Sequence, residues 1–246
     1  MNTRYVIGFV FILTASVAVI LTGLRQATEE QAAINEEIFN KRAILSALND
    51  YLGEGVTVKS LSDQEVLAKF ESMERLVLDM EGNIVEKDAD DIDMAKERKK
   101  PEAERQLPLY VYEYNGEKFY IISVRGNGLW DEIWGNIALK SDLNTIAGAA
   151  FDHKGETPGL GAEIKDNPSF PNAFKGKMIY DDGTYVSVVV RKGGAKNPEH
   201  EIDAISGATV TSDGVTEMLY RGIQYYEPYF DKIRQSNGTQ GLLINK

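Results

Sequence analysis

Four hydroxyl side chains lie close together around two glycines near the C-terminal end of the chain. The stretch is DAISGATVTSDGV, residues 203–215, and its alcohols are Ser206, Thr209, Thr211 and Ser212. A hydroxyl at a helix start can accept hydrogen bonds from free backbone N–H groups, which would make Thr211 or Ser212 the N-cap of a last long helix. The same helix start attracts anions, so these groups could instead hold a phosphate, and one alcohol could be esterified by it. The residues alone leave both interpretations open.

Two further glycine-containing segments could lie against a bulky ligand. They are RGNGLWDEIWGNIAL, residues 125–139, and HKGETPGLGAEI, residues 153–164. Glycine lets a backbone approach a flat group closely, although it also simply turns the chain. Trp130, Trp134 and Leu160 are therefore either ligand contacts or ordinary core residues. Neither segment contains the glycine pattern of a P-loop or of a dinucleotide-binding turn.

The composition disfavours several classes of function. The chain has 246 residues, no cysteine, two histidines and a formal net charge of -11. A chain without cysteine cannot form a disulfide, a thiolate-ligated cluster or a thiol nucleophile. Two histidines are too few for a histidine-based metal site, so we expect no metal. The negative charge repels phosphate backbones, so we expect no nucleic-acid partner.

A run of twenty apolar residues near the N-terminus is long enough to cross a bilayer. Residues 5–24 contain no Asp, Glu, Lys or Arg, and about twenty helical residues span the hydrocarbon core. The run is longer than the core of a signal peptide, and no A-x-A-like cleavage site follows it. We therefore expect a transmembrane helix over residues 5–24, in contact with membrane lipid. Residues 1–4 would be cytoplasmic, and the rest would lie on the periplasmic side of a bacterial inner membrane.

Beyond this run, the patterns predict an α+β protein of antiparallel hairpins and a few helices. A surface helix is expected over residues 31–51 and a hairpin over residues 74–87. The charged stretch over residues 88–104 is predicted to be a solvated linker or an exposed helix. Residues 25–106 would thus form a membrane-proximal region of helix, hairpin and linker.

The strongest hairpin signal opens a C-terminal domain over residues 107–246. Asn115-Gly116 suits a type I′ turn between two strands within residues 107–124. A second hairpin is predicted over residues 177–193, with its turn at Asp182-Gly183. A final helix is expected over residues 212–233. Its predicted buried stripe consists of Val215, Met218, Leu219, Ile223 and Tyr226.

Four segments, in order and spacing, resemble a known family. They are GLWDEIWG, GETPGLGAE, VRKGGA and DAISGATVTSDGV. Together they resemble the C subunits of sodium-translocating NADH:quinone oxidoreductases. This family belongs to a wider group of FMN-binding domains that includes the G subunit of the ion-pumping Rnf complex. The resemblance implies one N-terminal transmembrane helix followed by an FMN-binding domain with a C-terminal helix.

The resemblance also implies a covalently bound cofactor. In that family a flavin transferase moves FMN from FAD onto a threonine through a phosphoester bond. The acceptor pattern is D-x-x-[ST]-G-A-[ST]-x-[ST], and its last residue carries the flavin, which points to Thr211. The pattern is matched at every fixed position, by Asp203, Ser206, Gly207, Ala208, Thr209 and Thr211.

Further flavin contacts are implied by the same resemblance. The phosphate and ribityl chain would be wrapped by Ser206, Gly207, Ala208 and Thr209. The isoalloxazine would lie near Trp130, Gly159, Leu160 and Gly161. Polar contacts would come from Glu156 and Thr157, and a positive one from Lys192. We assign no catalytic acid or base and no metal ligand to this chain.

The function implied is that of an electron-carrying subunit in a membrane complex. That complex would couple NADH oxidation and quinone reduction to sodium translocation, and its other subunits and a flavin transferase would be the partners. An alternative in the same family is the Rnf G subunit. An alternative of another class is a membrane-tethered adaptor whose SGATVT stretch is only a helix cap, which would be colourless even with the transferase present.

Overall fold

The structure is a computed structural model that describes the backbone of residues 3–244 and the side chains of residues 3–236. Residues 1 and 2 of the predicted cytoplasmic N-terminus, and residues 245 and 246 of the predicted C-terminal domain, lie outside it. The chain divides into two compact units, residues 1–41 and residues 42–246. The helices are α1 (Thr3–Ser46), α2 (Asp63–Glu71), α3 (Met94–Glu97), α4 (Glu163–Asp166), α5 (Ser169–Asn172), α6 (Thr209–Gln224) and α7 (Glu227–Ile244). The strands are β1 (Glu74–Leu78), β2 (Ile84–Val85), β3 (Leu107–Tyr114), β4 (Glu117–Asn127), β5 (Glu132–Leu139), β6 (Ile146–His153), β7 (Tyr180–Asp181), β8 (Thr184–Tyr185), β9 (Val189–Arg191) and β10 (Glu201–Asp203).

One unbroken helix contains both the predicted transmembrane run and most of the predicted surface helix. Helix α1 has 44 residues and continues to Ser46. The prediction of a surface helix over residues 31–51 is wrong in its bounds: the helix ends at Ser46, and it continues from the apolar run because no glycine or proline between residues 25 and 46 interrupts the helical ladder. Within residues 3–244, α1 is the one helix that is long and apolar enough to cross a membrane.

A six-stranded antiparallel sheet in the order β2-β1-β3-β4-β5-β6 organises the second unit. The predicted hairpins over residues 74–87 and 107–124 are confirmed as β1–β2 and β3–β4. Asn115 and Gly116 have φ values of 52° and 80°, the positive φ that a type I′ turn requires at both central residues. Because β1 pairs with β3, the predicted boundary between residues 106 and 107 falls inside this sheet.

The charged stretch over residues 88–104 is mostly exposed, as predicted, but it folds onto the sheet instead of forming a free linker or a single helix. It contains α3 and two short 3-10 helices, and the side chain of Glu97 is buried. Arg98 donates to the backbone oxygen of Gly126 in β4 over 3.0 Å. The long side chains of charged residues thus bridge to the sheet while much of their surface stays in water.

The predicted hairpin over residues 177–193 is present but short. Strands β7 and β8 pair antiparallel around Asp182 and Gly183, with two residues each. The following strand, β9, does not extend this hairpin, because it pairs in parallel with β10. This pairing brings the VRKGGA segment beside the start of the hydroxyl-rich stretch.

The predicted final helix is two helices, because α6 ends at Gln224 and α7 begins at Glu227. Tyr226 lies at the break between the two helices and is fully buried. Its hydroxyl donates to the backbone oxygen of Pro108 over 3.0 Å. Burial raises the pKa of Tyr226, so this hydroxyl remains a donor. The predicted buried stripe is confirmed in full, because all five of its side chains lie in the core.

Helix α6 packs directly on β4 through glycines. A Cβ atom at Gly222 would lie 2.6 Å from Val124 Cγ1, and one at Gly214 would overlap the backbone oxygen of Asn127. Neither position tolerates a side chain, so the helix lies against the strand with almost no space between their backbones. The first turns of α6 are therefore fixed at the end of β4, close to Gly128.

Candidate functional site

The hydroxyl-rich stretch does not cap α6 with a side chain. The helix begins at Thr209, its N-cap is Ala208, and no side-chain oxygen accepts a capping hydrogen bond there. Thr211 and Ser212 lie inside the first turn, so the prediction that one of them is the N-cap is wrong. Ser212 instead accepts a hydrogen bond from the backbone N–H of Ile205 over 3.3 Å, which fastens the preceding loop to the helix.

The hydroxyl of Thr211 is buried and hydrogen-bonded to a carboxylate. Thr211 is 1% exposed, and Glu156 is 5% exposed. Thr211 Oγ1 donates to Glu156 Oε2 over 2.6 Å, across 55 residues of sequence. The resemblance implied both residues as flavin contacts, but not their contact with each other.

The carboxylate of Glu156 is oriented by two neighbouring segments. Its Oε1 accepts a hydrogen bond from the backbone N–H of Trp130 over 2.9 Å. A Cβ at Gly128 or Gly161 would overlap a carboxylate oxygen of Glu156, and one at Gly161 would also lie 2.6 Å from Thr211 Oγ1. Glycine at these two positions therefore leaves the space that the carboxylate and the hydroxyl occupy.

The predicted aromatic contact is exposed rather than buried in the core. Trp130 is 69% exposed, and its Nε1 donates to Thr157 Oγ1 over 3.0 Å. Trp134, by contrast, is half-buried with the Arg125 guanidinium over its ring at 4.9 Å. Trp130 is therefore not a core residue, and its contact with a ligand stays a prediction.

Leu160 connects the loop of residues 157–161, which we term the glycine loop, to residues 203–211, which we term the acceptor stretch. Its side chain is 40% exposed, and a Cβ at Gly207 would lie 2.8 Å from Leu160 Cδ2. Gly207 and Gly159 have φ values of 77° and 73°, which few other residues adopt. The loop of residues 157–161 therefore packs over the turn that precedes α6.

Two exposed apolar side chains beside this site have no counterpart among the predicted contacts. They are Leu129 and Val210, and each is 52% exposed. Leu129 precedes Trp130 in the sequence, and Val210 precedes Thr211. We term Leu129, Trp130, Leu160 and Val210 the apolar rim. An apolar side chain is usually buried, so no local pattern indicated that Leu129 and Val210 would face solvent.

Strands β9 and β10 hold the acceptor stretch from its other side. Asp203, at the end of β10, accepts a hydrogen bond from the backbone N–H of Ala195 over 2.7 Å. Hydrogen bonding to the Arg191 guanidinium, with backbone N–H groups beside it, lowers the pKa of Glu201 to about 2. Lys192 is exposed and directly follows Arg191, the residue that pairs with Asp203.

The remaining predicted contacts lie in the turn before α6 and in its first turn. Ser206 and Gly207 are exposed, Ala208 is buried and Thr209 is half-buried. The backbone N–H of Ser212 closes the first helical turn by donating to the carbonyl oxygen of Ala208 over 2.9 Å. The first N–H groups of a helix have no partner within the helix, and the helix dipole favours an anion beside them.

These residues fit a flavin phosphate better than a metal ion. The site combines an alcohol, which suits a phosphoester, with the N-terminus of a sixteen-residue helix, which suits the charge of that ester. The apolar rim beside them suits a planar ring. No group of three or more His, Cys, Asp or Glu residues that could hold a metal occurs in the described part of the chain.

Comparison with known proteins gives a consistent result. The FMN-binding domain family matches residues 128–224, which include Trp130, the glycine loop and the acceptor stretch. The C subunit of the Na(+)-translocating NADH-quinone reductase of Vibrio anguillarum is 31% identical over 93% of this chain and 92% of its own length. Its counterpart in Pseudomonas aeruginosa is 33% identical over 82% of this chain and 84% of its own length.

Solved structures show the same fold. The crystal structure of the corresponding reductase C subunit from Parabacteroides distasonis superposes with a TM-score of 0.72 and 37% sequence identity, over 82% of this chain and 96% of that one. Shewanella oneidensis NqrC superposes with a TM-score of 0.68 at 24% identity, over 82% of this chain and 99% of that one.

Proposed function

Because this chain belongs to the family of Na(+)-translocating NADH-quinone reductase C subunits, we propose that it carries FMN esterified to Thr211. It is an electron-carrying subunit of that membrane complex. FMN supplies the redox chemistry, and the protein attaches and orients it. The dinucleotide fingerprint and cysteine ligands that other redox steps use are missing from this sequence, so NADH oxidation and quinone reduction belong to partner subunits.

One observation carries the assignment of the attachment residue. Thr211 is the pattern threonine, and it lies in the first turn of α6 beside the exposed side chains of the apolar rim. A phosphodiester there keeps one negative charge at a helix N-terminus, where it is stabilised. The isoalloxazine would then lie along Trp130 and Leu160.

The other predicted contacts complete the proposed site. Ser206, Gly207, Ala208 and Thr209 would surround the phosphate and the ribityl chain. Lys192 would approach it from the end of β9. Glycines 159 and 161 would let the loop of residues 157–161 lie close to the ring, with Glu156 and Thr157 as its polar groups.

Substitution of Thr211 tests the covalent link. We expect Thr211→Val, made together with a flavin transferase and FAD, to give protein without flavin after denaturation, whereas wild type gives a fluorescent band on a denaturing gel. Intact mass should rise in wild type by the mass of FMN minus water, and the modified peptide should contain Thr211. Valine matches threonine in shape but removes the hydrogen bond to Glu156, so thermal unfolding of the variant is compared with wild type to separate loss of the hydroxyl from misfolding.

A matched variant controls for a second acceptor. Thr209→Val, two residues earlier in the same turn, should keep covalent flavin. Flavin retained in Thr211→Val and lost in Thr209→Val would move the attachment to Thr209.

Helix α1 is long and apolar enough to cross a membrane, which supports a single-pass arrangement. We propose a single transmembrane helix in the bacterial inner membrane with the domain on the periplasmic side, contacts to lipid along residues 5–24, and maturation by a flavin transferase. The adaptor alternative relied on a side-chain helix cap, and the N-cap Ala208 provides none.

A further inference from the structure

The acceptor hydroxyl is closed off by the groups around it. Thr211 is 1% exposed, and its hydroxyl donates to Glu156 Oε2 over 2.6 Å. Gly161 covers it, since a Cβ there would lie 2.6 Å from Thr211 Oγ1. Attack on a phosphorus needs room for the incoming phosphate beside Oγ1. This arrangement leaves too little room for that phosphate.

Glu156 connects the parts that close the hydroxyl. Its Oε1 accepts a hydrogen bond from the backbone N–H of Trp130. The backbone N–H of Glu156 donates to His153 Nδ1 over 3.2 Å. The carboxylate therefore joins the segment after β4 to the first turn of α6, and the backbone of Glu156 is held at the end of β6. Replacing the side chain would remove the two carboxylate hydrogen bonds and keep the backbone one.

The loop of residues 157–161 that lies over the hydroxyl is otherwise weakly held. Four of its five residues are exposed. The backbone N–H groups of Leu160 and Ala162 both donate to Thr157 O, within the loop region, at 3.1 Å. A segment with few buried contacts opens at lower free energy than the core around it.

Esterification cannot preserve the closed arrangement. In the step, the Oγ1 of Thr211 bonds to the flavin-bearing phosphorus of FAD, the bond from that phosphorus to the bridging oxygen breaks, AMP leaves with the electron pair, and the hydroxyl proton is released. The product has no Oγ1 proton to donate, and it places a phosphodiester anion beside the Glu156 carboxylate. Two like charges so close repel each other strongly when partly shielded from water.

We propose that Glu156 is a latch that holds Thr211 closed before FMN is attached and is released permanently by the attachment. This inference rests on the proposed function. Opening of the loop of residues 157–161 then precedes attachment, and Glu156 acts as a positioning residue that sets how often it opens. Its carboxylate slows maturation rather than catalysing it.

The rate of flavin attachment tests this latch. Full-length protein in detergent is treated with a flavin transferase and FAD, and covalent flavin is followed by gel fluorescence. Glu156→Ala should be modified about tenfold faster than wild type or more, because a hydrogen bond to a charged group is lost and a buried hydroxyl is left unpaired. Glu97→Ala is the matched control, since Glu97 is also 5% exposed but its carboxylate accepts hydrogen bonds from Lys100 and Gln106 and none from Thr211, and it should be modified at the wild-type rate.

The possible outcomes are distinct. An unchanged or slower rate in Glu156→Ala overturns the latch, and a slower rate assigns Glu156 to the transfer chemistry. Equal acceleration in Glu97→Ala also overturns it, because general destabilisation would then explain the effect. If wild type gains no flavin at Thr211 at all, the proposed function fails and the latch with it.

Hydrogen exchange of flavin-free protein gives a readout that does not involve the transferase. Amides of residues 157–162 should exchange faster in Glu156→Ala than in wild type, while those of β4 and β5 exchange at the same rate and show that the variant is folded. Identical or slower exchange over residues 157–162 in the variant would contradict the latch.

Discussion

The attachment chemistry proposed for this protein depends on one alcohol and the side chains that surround it. Thr211 is the residue at which the acceptor pattern, the fold and the apolar rim coincide. Its hydroxyl contacts Glu156 over 2.6 Å, and glycines on two different segments leave the space for that contact. At the scale of residues, the contact between Thr211 and Glu156 therefore requires glycine at Gly128 and Gly161 as well as the two side chains that form it.

Gly161 provides a direct test of this close packing. A Cβ there would overlap Glu156 Oε2, so we expect Gly161→Ala to lower the free energy of unfolding by about 1–3 kcal/mol, as overpacking typically does. The measurement is thermal unfolding of flavin-free protein in detergent, followed by near-ultraviolet circular dichroism.

Gly155→Ala is the control for Gly161→Ala. Gly155 lies in the same loop region, and its nearest neighbour to an added Cβ is Asp131 Cβ at 3.9 Å. We expect it to change stability by less than about 0.5 kcal/mol. If both variants lose the same free energy of unfolding, the loss comes from the backbone conformation of the loop and not from overlap with the Glu156 carboxylate.

The sequence names the proposed acceptor residue, but it indicates the surroundings of that residue only in part. A continuous pattern of nine positions points to Thr211, and the exposure of Trp130 and Leu160 is compatible with the contacts that the resemblance implied. The exposure of Leu129 and Val210 could not be foreseen, because nothing local distinguishes an apolar residue that faces a ligand from one that faces the core.

At the scale of elements, the site depends on how closely α6 lies on β4. Gly214 is in α6 and Asn127 ends β4, and the two backbones approach so closely that a Cβ would overlap the Asn127 carbonyl. This approach sets the position of the helix N-terminus, and therefore of Thr211, relative to Trp130 and the loop that follows β4.

Substitution of Gly214 should reverse the usual effect of alanine in a helix. Alanine in a helix interior is normally favoured over glycine by about 1 kcal/mol. Here we expect Gly214→Ala to destabilise the protein by about 1–3 kcal/mol, because the added methyl group forces α6 away from β4. Unfolding by urea, followed by the same dichroism signal, measures this.

An exposed position of the same helix shows whether the effect is specific. Glu217→Ala replaces an exposed residue whose ion pair with Arg221 is also exposed, and it should stay within about 0.5 kcal/mol of wild type. A stabilised Gly214→Ala protein would show that helix and strand can separate without cost.

Elements with strong local signals are predicted well, and those set by distant contacts are not. Asn115-Gly116 indicates its hairpin because only such residues adopt positive φ at both turn positions readily. The sequence places the start of α6 three residues late, at Ser212 instead of Thr209, because serine and threonine are preferred N-caps and tertiary packing selects Ala208. Strands β9 and β10 are three residues each, and their parallel pairing depends on contacts that no local pattern contains.

At the scale of the whole molecule, the chain consists of an apolar helix and a separately compact domain. The two units divide after Lys41, and the hydrophobic core cluster lies entirely between Leu78 and Phe230. The solved structures that match cover 82% of this chain. Nothing in the core cluster therefore requires residues 1–41.

A fragment starting at Arg42 should accordingly fold without detergent. Arg42 is kept because its guanidinium donates to the backbone oxygens of Val58 and Leu61, both at 2.9 Å. We expect residues 42–246 to be soluble and to acquire flavin from the transferase and FAD as the full chain does. Size-exclusion chromatography and gel fluorescence are the measurements, and a fragment that aggregates would show that α1 is needed for folding.

The close contact of α6 with β4 has a consequence for how electrons are carried. A cofactor held only by affinity can leave when oxidation or reduction changes that affinity. The FMN proposed at Thr211, esterified within the first turn of α6, would stay on a short tether, and short flexible tethers keep a group at an effective concentration in about the millimolar range. The binding contacts around Thr211 would then be free to favour one oxidation state over the other without any risk of losing the carrier.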